Sequence, residues 1–200
     1  MGRNILLATA GLIGIATVVY AARPDIPATP PMAAAQAAKM SATDFRLTAI
    51  DGAPLPMTKF KGQVVMLVNT ASMCGFTPQY EALQKIQTEY RPKGFTVVGV
   101  PSGDFMGQEY ASNSEIAGFC KSKFGINFPM AEKSDVVGPK ALPIYKWAAA
   151  RMGPGNTPKW NFHKYLIGRD GQIVAAFPSK VTPDSPEVRA AIDAALKARA

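Results

Sequence analysis

Histidine is almost missing from this sequence: His163 is the only one in 200 residues, and there are just two cysteines, Cys74 and Cys120. That scarcity argues against a protein-built zinc or copper site, which needs clustered His and Cys ligands. No metal and no cofactor is expected. There is no Cys-x-x-Cys either, because Gly75-Phe76-Thr77 follow Cys74. A protein that exchanges disulfides with client proteins normally carries that pair. A metallochaperone wants a close Cys pair plus His, and this too is lacking. Basic residues outnumber acidic ones 22 to 14, giving a formal net charge of +8, yet no run of adjacent Lys and Arg occurs. The charges are scattered, as at Lys59 and Lys61 or Lys121 and Lys123, so no nucleic-acid groove is expected. The excess suits solubility, or attraction to anionic lipid head groups or an acidic partner. No internal repeat is present.

Charge is absent altogether from Ile5 to Ala22, directly after Met1-Gly2-Arg3-Asn4. The run is about as long as a minimal membrane span and longer than most signal-peptide cores. Residues 1–22 therefore read as a signal peptide or an N-terminal membrane anchor, with a small-residue cleavage site at Val19-Tyr20-Ala21. Both readings place the domain outside the cytoplasmic membrane, in a periplasmic or other extracytoplasmic location. A buried domain helix is the competing reading, opposed by the Pro-rich stretch that follows. Residues 23–41 read as a Pro/Ala-rich linker. Pro24 to Pro31 is an extended spacer, and Met32 to Met40 is loosely helical or disordered. The boundary falls near Ser41, leaving 42–200 as one domain large enough for a real core. Two cysteines in an exported chain also admit a structural disulfide.

The stretch VVMLVNTASMCGFTPQY, Val64 to Tyr80, organises the rest. Val64 to Asn69 is a continuous apolar run, as expected for a strand covered on both faces. A turn follows, then a helix opening at Thr77-Pro78, with Thr77 as its cap and Pro78 in the first position. Cys74 sits in the turn. A thiol just ahead of a helix N-terminus meets the positive end of the dipole and unpaired N–H groups, both of which favour the thiolate. Cys74 is thus a candidate nucleophile; the alternative is a small buried hydrophobe.

Around this stretch, Phe45 to Ile50 and Pro56 to Phe60 read as strands of an N-terminal β-hairpin turning at Asp51-Gly52. A helix from Gln79 to Tyr90 has Tyr80, Leu83, Ile86 and Tyr90 on one face. Phe95 to Val100 is a second buried strand, parallel to the first through a right-handed crossover. The loop Pro101 to Tyr110 leaves its C-terminal end, the edge where chemistry collects in open α/β sheets. Cys74 should lie beside that loop. Ser114 to Phe124 reads as a helix with Ile116, Phe119, Cys120 and Phe124 on its apolar face. Pro143 to Arg151 is a short helix, and Asn161 to Ile167 and Gln172 to Phe177 form a closing hairpin. A last helix, Pro186 to Lys197, is capped by Ser185 or Asp184. The sum is an α/β chain in thioredoxin-like order, a central mixed sheet flanked by helices, with an N-terminal β-hairpin.

Three segments also carry a family resemblance. VNTASMCGFTPQYEAL resembles the cysteine motif of glutathione peroxidases, VPSGDFMGQEY their second motif and KWNFHKYLIGRDG their third. EIAGFCKSKFGINFP and SDVVGPKALPIYKW are similar as well, and the likeness runs in order over about residues 43–185. It implies a peroxidase on a thioredoxin fold. Cys74 falls on the peroxidatic position, and Gln108, Trp160 and Asn161 on the positions that complete the family's tetrad. Amide and indole N–H groups are neutral donors suited to stabilising a thiolate and peroxide oxygens. Cys120 matches the resolving cysteine of thioredoxin-dependent members. The implied cycle runs from thiolate to sulfenic acid to a Cys74–Cys120 disulfide, reduced by a dithiol partner. Several positions depart from the pattern. Ser102 stands for Cys, Gly103 and Asp104 for Asn and Gln, Met106 for Gly and Tyr110 for Pro; Ser102 and Gly103 could alter rate or peroxide preference. His163 stands where Thr is usual and receives no catalytic role. The short segment between Trp147 and Trp160 is similar to that of monomeric members whose open site admits lipid hydroperoxides. Hydrogen peroxide and small organic hydroperoxides remain equally open. No motif position offers basic residues for glutathione, so a thioredoxin-like reductant is preferred over glutathione. An exported thiol–disulfide oxidoreductase or a peroxide sensor on the same fold is the alternative.

Overall fold

The apolar run that begins at Val64 folds as a strand with all seven of its residues buried. In the computed structural model, which describes residues 32–198, the N-terminal elements are α1 (Ala34–Ala37), β1 (Arg46–Thr48) and β2 (Pro54–Pro56). Then come β3 (Val64–Thr70), α2 (Gln79–Tyr90), β4 (Phe95–Pro101), α3 (Asn113–Phe124) and α4 (Pro143–Met152). The chain closes with β5 (Lys164–Ile167), β6 (Ile173–Phe177) and α5 (Pro186–Lys197). The signal or anchor segment, 1–22, and the spacer up to residue 31 lie outside the described residues. Among the described residues no helix is long and apolar enough to cross a membrane.

The main sheet is ordered β4-β3-β5-β6, with β3 parallel to β4 and antiparallel to β5. β3 is an inner strand, which is why its sequence is apolar without alternation. Its pleat still divides the core. Val64, Met66 and Val68 pack with Tyr80, Leu83 and Ile86 of α2 and with Val188 and Ile192 of α5. Val65 and Leu67 join Ile144 and Trp147 of α4 and Leu47 and Leu55 of the hairpin. Helices therefore cover both faces, and the α/β thioredoxin-like reading holds.

Three local expectations need correction. The hairpin is shorter than expected and forms its own sheet, pairing Arg46 with Pro56 and Thr48 with Pro54. The prolines on either side of Leu55 cannot donate to a ladder, and Met57–Phe60 coils into a 3-10 turn instead of continuing the strand. Asn161 to His163 does not belong to β5, because Phe162 adopts a left-handed backbone, φ 64°. Lastly, the chain ahead of Ser41 is not free of the domain. Ala37 is fully buried, and its carbonyl accepts the Trp147 indole N–H at 3.1 Å.

Two side chains stand out for what they hold. Arg169, in the β5–β6 turn, donates to the carbonyls of Gly62 (2.7 Å), Lys93 (3.1 Å) and Leu196 (3.2 Å). It thereby ties the start of β3, the end of the α2 segment and the C-terminal turn of α5 together. Lys164 of β5 is wholly buried and donates to the Val181 carbonyl. Among the described residues it has no carboxylate partner, and burial pulls its pKa down to about 7.

Candidate active site

The parallel pairing of β3 with β4 places the chain that leaves each strand at one sheet edge. The turn carrying Cys74 and the loop carrying Gln108 are joined there by two hydrogen bonds. Met73 N–H donates to the Gln108 carbonyl at 3.0 Å, and Ser72 N–H to Glu109 Oε1 at 3.3 Å. The expected neighbourhood of Cys74 and this loop is therefore present.

Within the turn, Thr77 does not cap α2, contrary to the sequence reading. Its hydroxyl accepts from Cys74 N–H at 3.0 Å and donates to the Ala71 carbonyl at 2.9 Å. The first turn of α2 is entered through 3-10-type bonds such as Tyr80 N–H to Thr77 C=O, with Pro78 at the cap position. Thr77 stands where a Cys-x-x-Cys motif would carry its second cysteine, and it braces the backbone of the first. Phe76 N–H donates to Cys74 Sγ at 3.4 Å, so the sulfur meets an amide at the helix entrance. Cys74 itself is 8% exposed.

The third segment arrives through Asn69, a polar residue at the end of the apolar strand. Its amide donates to the Trp160 carbonyl at 3.1 Å and accepts from His163 N–H at 3.0 Å, while its carbonyl accepts from Phe162 N–H at 2.7 Å. These bonds hold the turn in which Phe162 is left-handed, a conformation costing a non-Gly residue about 1–2 kcal/mol. They also fix Asn161, which is fully buried and donates through Nδ2 to Gln108 Oε1 at 3.0 Å. The indole of Trp160 packs on Phe105 of the Gln108 loop, ring centroids 5.8 Å apart. Gln108, Trp160 and Asn161, about fifty residues apart in sequence, thus share one edge with the Cys74 turn.

Cys120 stands apart from this group. It lies inside α3, is 2% exposed, and belongs to the same core cluster as Cys74. Both cysteines are free thiols. Burial pushes the Cys120 thiol up to about 11, opposed in part by the Tyr80 hydroxyl beside it. His163 is held neutral, its pKa drawn down to about 4 by burial and the neighbouring Lys164, with its ring against Tyr165 at 4.7 Å. Two departures from the family pattern have structural roles. Asp104 Oδ2 accepts the amides of Val136 (2.6 Å) and Val137 (3.0 Å), and Tyr110 packs edge-on against Phe119 at 5.5 Å. Met106 occupies a left-handed position, φ 59°, with its side chain 79% exposed.

With this geometry in view, comparison with known proteins is decisive: the glutathione peroxidase family matches residues 42–149. The chain belongs to the glutathione peroxidase family. It is 44% identical over 150 residues to the hydroperoxy fatty acid reductase Gpx2 of Synechocystis sp., covering 75% of this chain and 96% of that one. It is 40% identical over 151 residues to the glutathione peroxidase-like peroxiredoxin GPX5 of Chlamydomonas reinhardtii, covering 74% and 93%. The crystal structure of Trgpx in apo form superposes with a TM-score of 0.64 at 34% identity, over 80% of this chain and 98% of that one. The fold and the peroxidase class follow from these relationships.

Sequence reasoning missed Asn69, Thr77 and Glu109 as builders of the site. Asn69 carried a signal, as the lone amide closing the apolar run. Thr77 was noticed and given the wrong partner. Glu109 is 4% exposed without an ion-pair partner among the described residues, and nothing in the sequence distinguished it from a surface carboxylate.

Proposed function

We propose that this peroxidase works as a two-cysteine thiol peroxidase. Cys74 thiolate attacks a peroxide oxygen, releases water or an alcohol, and becomes a sulfenic acid. Gln108, Trp160 and Asn161 stabilise the thiolate and the departing oxygen by hydrogen bonding without titrating themselves. The 3.0 Å bond from Asn161 to Gln108 carries this reading, because it joins two distant motifs beside the turn of the third. Cys120 then condenses with the sulfenic acid, and a thioredoxin-like dithiol reduces the resulting disulfide. Cys120 is packed inside α3, so that helix loosens for the sulfurs to meet. Hydrogen peroxide, organic and lipid hydroperoxides are the substrate class, and the names of the Synechocystis and Chlamydomonas relatives support fatty acid hydroperoxides and a peroxiredoxin mode. The protein acts as a monomer, exported or membrane-anchored through residues 5–22, near the lipid surface its basic charge favours.

Steady-state turnover of the full-length protein with a fatty acid hydroperoxide tests this cycle. Wild type should turn over with a thioredoxin system and barely with glutathione, and Cys120→Ser should lose the thioredoxin-supported rate. Sustained turnover of Cys120→Ser with glutathione would replace the two-cysteine cycle with a one-cysteine one.

A further inference from the structure

A cavity of about 550 Å³ lies beside α4, walled by that helix, by the loop ahead of it and by the chain that leads to Trp160. Val137, Ala141, Lys146, Ala149, Ala150 and Pro158 are among the residues that line it. Its size falls within the range of sites that hold small organic ligands, which are mostly apolar with a few polar groups. Among the described residues Lys146 is the one charged side chain on the wall. It is half-buried, its Nζ donates to the Pro139 carbonyl at 2.6 Å, and it has no carboxylate partner among the described residues.

The cavity adjoins the peroxidatic edge. Val136 and Val137, on its wall, are the residues whose amides Asp104 Oδ2 accepts. Asp104 lies in a compact turn in which Phe105 packs on Trp160 and Gly107 N–H donates to the Gly103 carbonyl at 3.1 Å. Gln108 follows Asp104 by four residues, at most about 14 Å of chain, and its carbonyl accepts Met73 N–H from the Cys74 turn. On the other side, Pro158 of the wall stands two residues before Trp160. The edge itself presents apolar surface: Met73 is 51% and Met106 79% exposed.

We propose that this cavity is the subsite for the hydrocarbon chain of a fatty acid hydroperoxide, with Lys146 holding the carboxylate while the hydroperoxide group reaches Cys74. The assignment deepens the substrate reading above and rests on it. An apolar wall with one cation, and no acidic side chain among its described residues, is complementary to an amphiphile carrying a single negative charge. Each methylene that leaves water for such a cavity is worth about fourfold in kcat/KM. Met32, another residue of the wall, stands ten residues beyond the uncharged run that ends at Ala22, at most about 35 Å of chain. A membrane-anchored protein therefore keeps this face within reach of the bilayer that holds the acyl chains.

The test gives the full-length protein linoleic acid hydroperoxide, its methyl ester and hydrogen peroxide, and reads kcat/KM for each lipid as a ratio to hydrogen peroxide, which is too small to need the cavity. Ala149→Phe fills the cavity and should lower the ratio for the free acid roughly 10²-fold, the worth of three or four methylenes. Ala150→Leu fills it less and carries the same test should the first variant not fold. Lys146→Met should raise KM for the free acid roughly fivefold, leaving kcat and the methyl ester unchanged; an equal effect on acid and ester would overturn the carboxylate assignment. Calorimetric titration of the reduced protein with linoleate reads binding without turnover, and the filled variants should lose it. An unchanged ratio, or unchanged linoleate affinity, in the filled variants would overturn the proposal. A wild-type dimer that Ala149→Phe turns into a monomer, with no linoleate bound by either, would assign the cavity to a second copy of the chain and overturn it too. If wild type reduces hydrogen peroxide but no fatty acid hydroperoxide, the substrate reading fails and the cavity assignment with it. If wild type reduces the fatty acid hydroperoxide and the filled variants do so equally well, the cavity assignment alone fails.

Discussion

Replacing Lys164 by Met should stabilise the protein at pH 7 and below and change little near pH 10. Lys164 is fully buried, and burial lowers its folded-state pKa from 10.5 to about 7. Between those values the unfolded chain binds a proton that the folded chain does not, so wild-type stability rises with pH across that window. Each pH unit is worth up to about 1.4 kcal/mol, and the full window on the order of 4–5 kcal/mol. Below pH 7 both states are charged and the whole desolvation cost is present. Met fills a similar volume without the charge, but it leaves the Val181 carbonyl without its donor, at a cost of about 1–3 kcal/mol. The expected gain at pH 6 is therefore about 1–4 kcal/mol, shrinking to nothing or reversing by pH 10. Urea unfolding of wild type and Lys164→Met at closely spaced pH values, under reducing conditions, measures the difference. Groups away from Lys164 cancel in that difference, whereas His163, whose pKa Lys164 helps to lower, contributes below pH 7. A difference that stays flat from pH 6 to 10 would refute the reasoning.

The other expectations concern single sites. His163, neutral in the fold with its pKa near 4, should make stability fall as pH drops through 6.5 towards 4; an acid titration of urea midpoints that shows no His163-dependent slope, judged against His163→Phe, would contradict this. Met106→Gly should raise stability by about 0.5–1 kcal/mol, because the left-handed strain exceeds the extra freedom of the unfolded chain and the exposed side chain gives up no packing. Chemical denaturation reads it directly. Arg169→Met should destabilise by about 2–3 kcal/mol through three stranded carbonyls, two of them at helix ends, seen as a lower Tm without loss of peroxide reactivity per folded molecule. Asn161→Ala should slow the oxidation of Cys74 roughly 10²-fold while leaving reduction of a preformed disulfide unaffected, as two half-reactions followed separately would reveal.

Much of the fold was legible because β3 and β4 announce themselves. FTVVGV and VVMLVN are apolar without alternation, as strands buried on both faces read, although β4 lies at the edge of the sheet and β3 inside it. The α2 face, Tyr80, Leu83, Ile86 and Tyr90, follows from its spacing and is buried throughout. What escaped were places where a side chain bonds its own loop. Thr77 looks like a cap in sequence, yet its hydroxyl is drawn to the Ala71 carbonyl and the Cys74 amide, whose positions depend on the whole turn. Asn161 to His163 looked extended because nothing local reveals that Asn69, some ninety residues away, bends that turn. The location of Gln108 and Asn161 at the cysteine edge came from the strand order and the family motifs; their mutual hydrogen bond is a tertiary fact that no spacing encodes.

The most direct test of Cys74 as the peroxidatic nucleophile is stopped-flow tryptophan fluorescence of the full-length protein mixed with hydroperoxide, Trp160 being the reporter at the site. Wild type should give a fast peroxide-dependent phase followed by a slower one, Cys120→Ser the fast phase alone, and Cys74→Ser neither. A fast phase that survives in Cys74→Ser would contradict the assignment of the nucleophile.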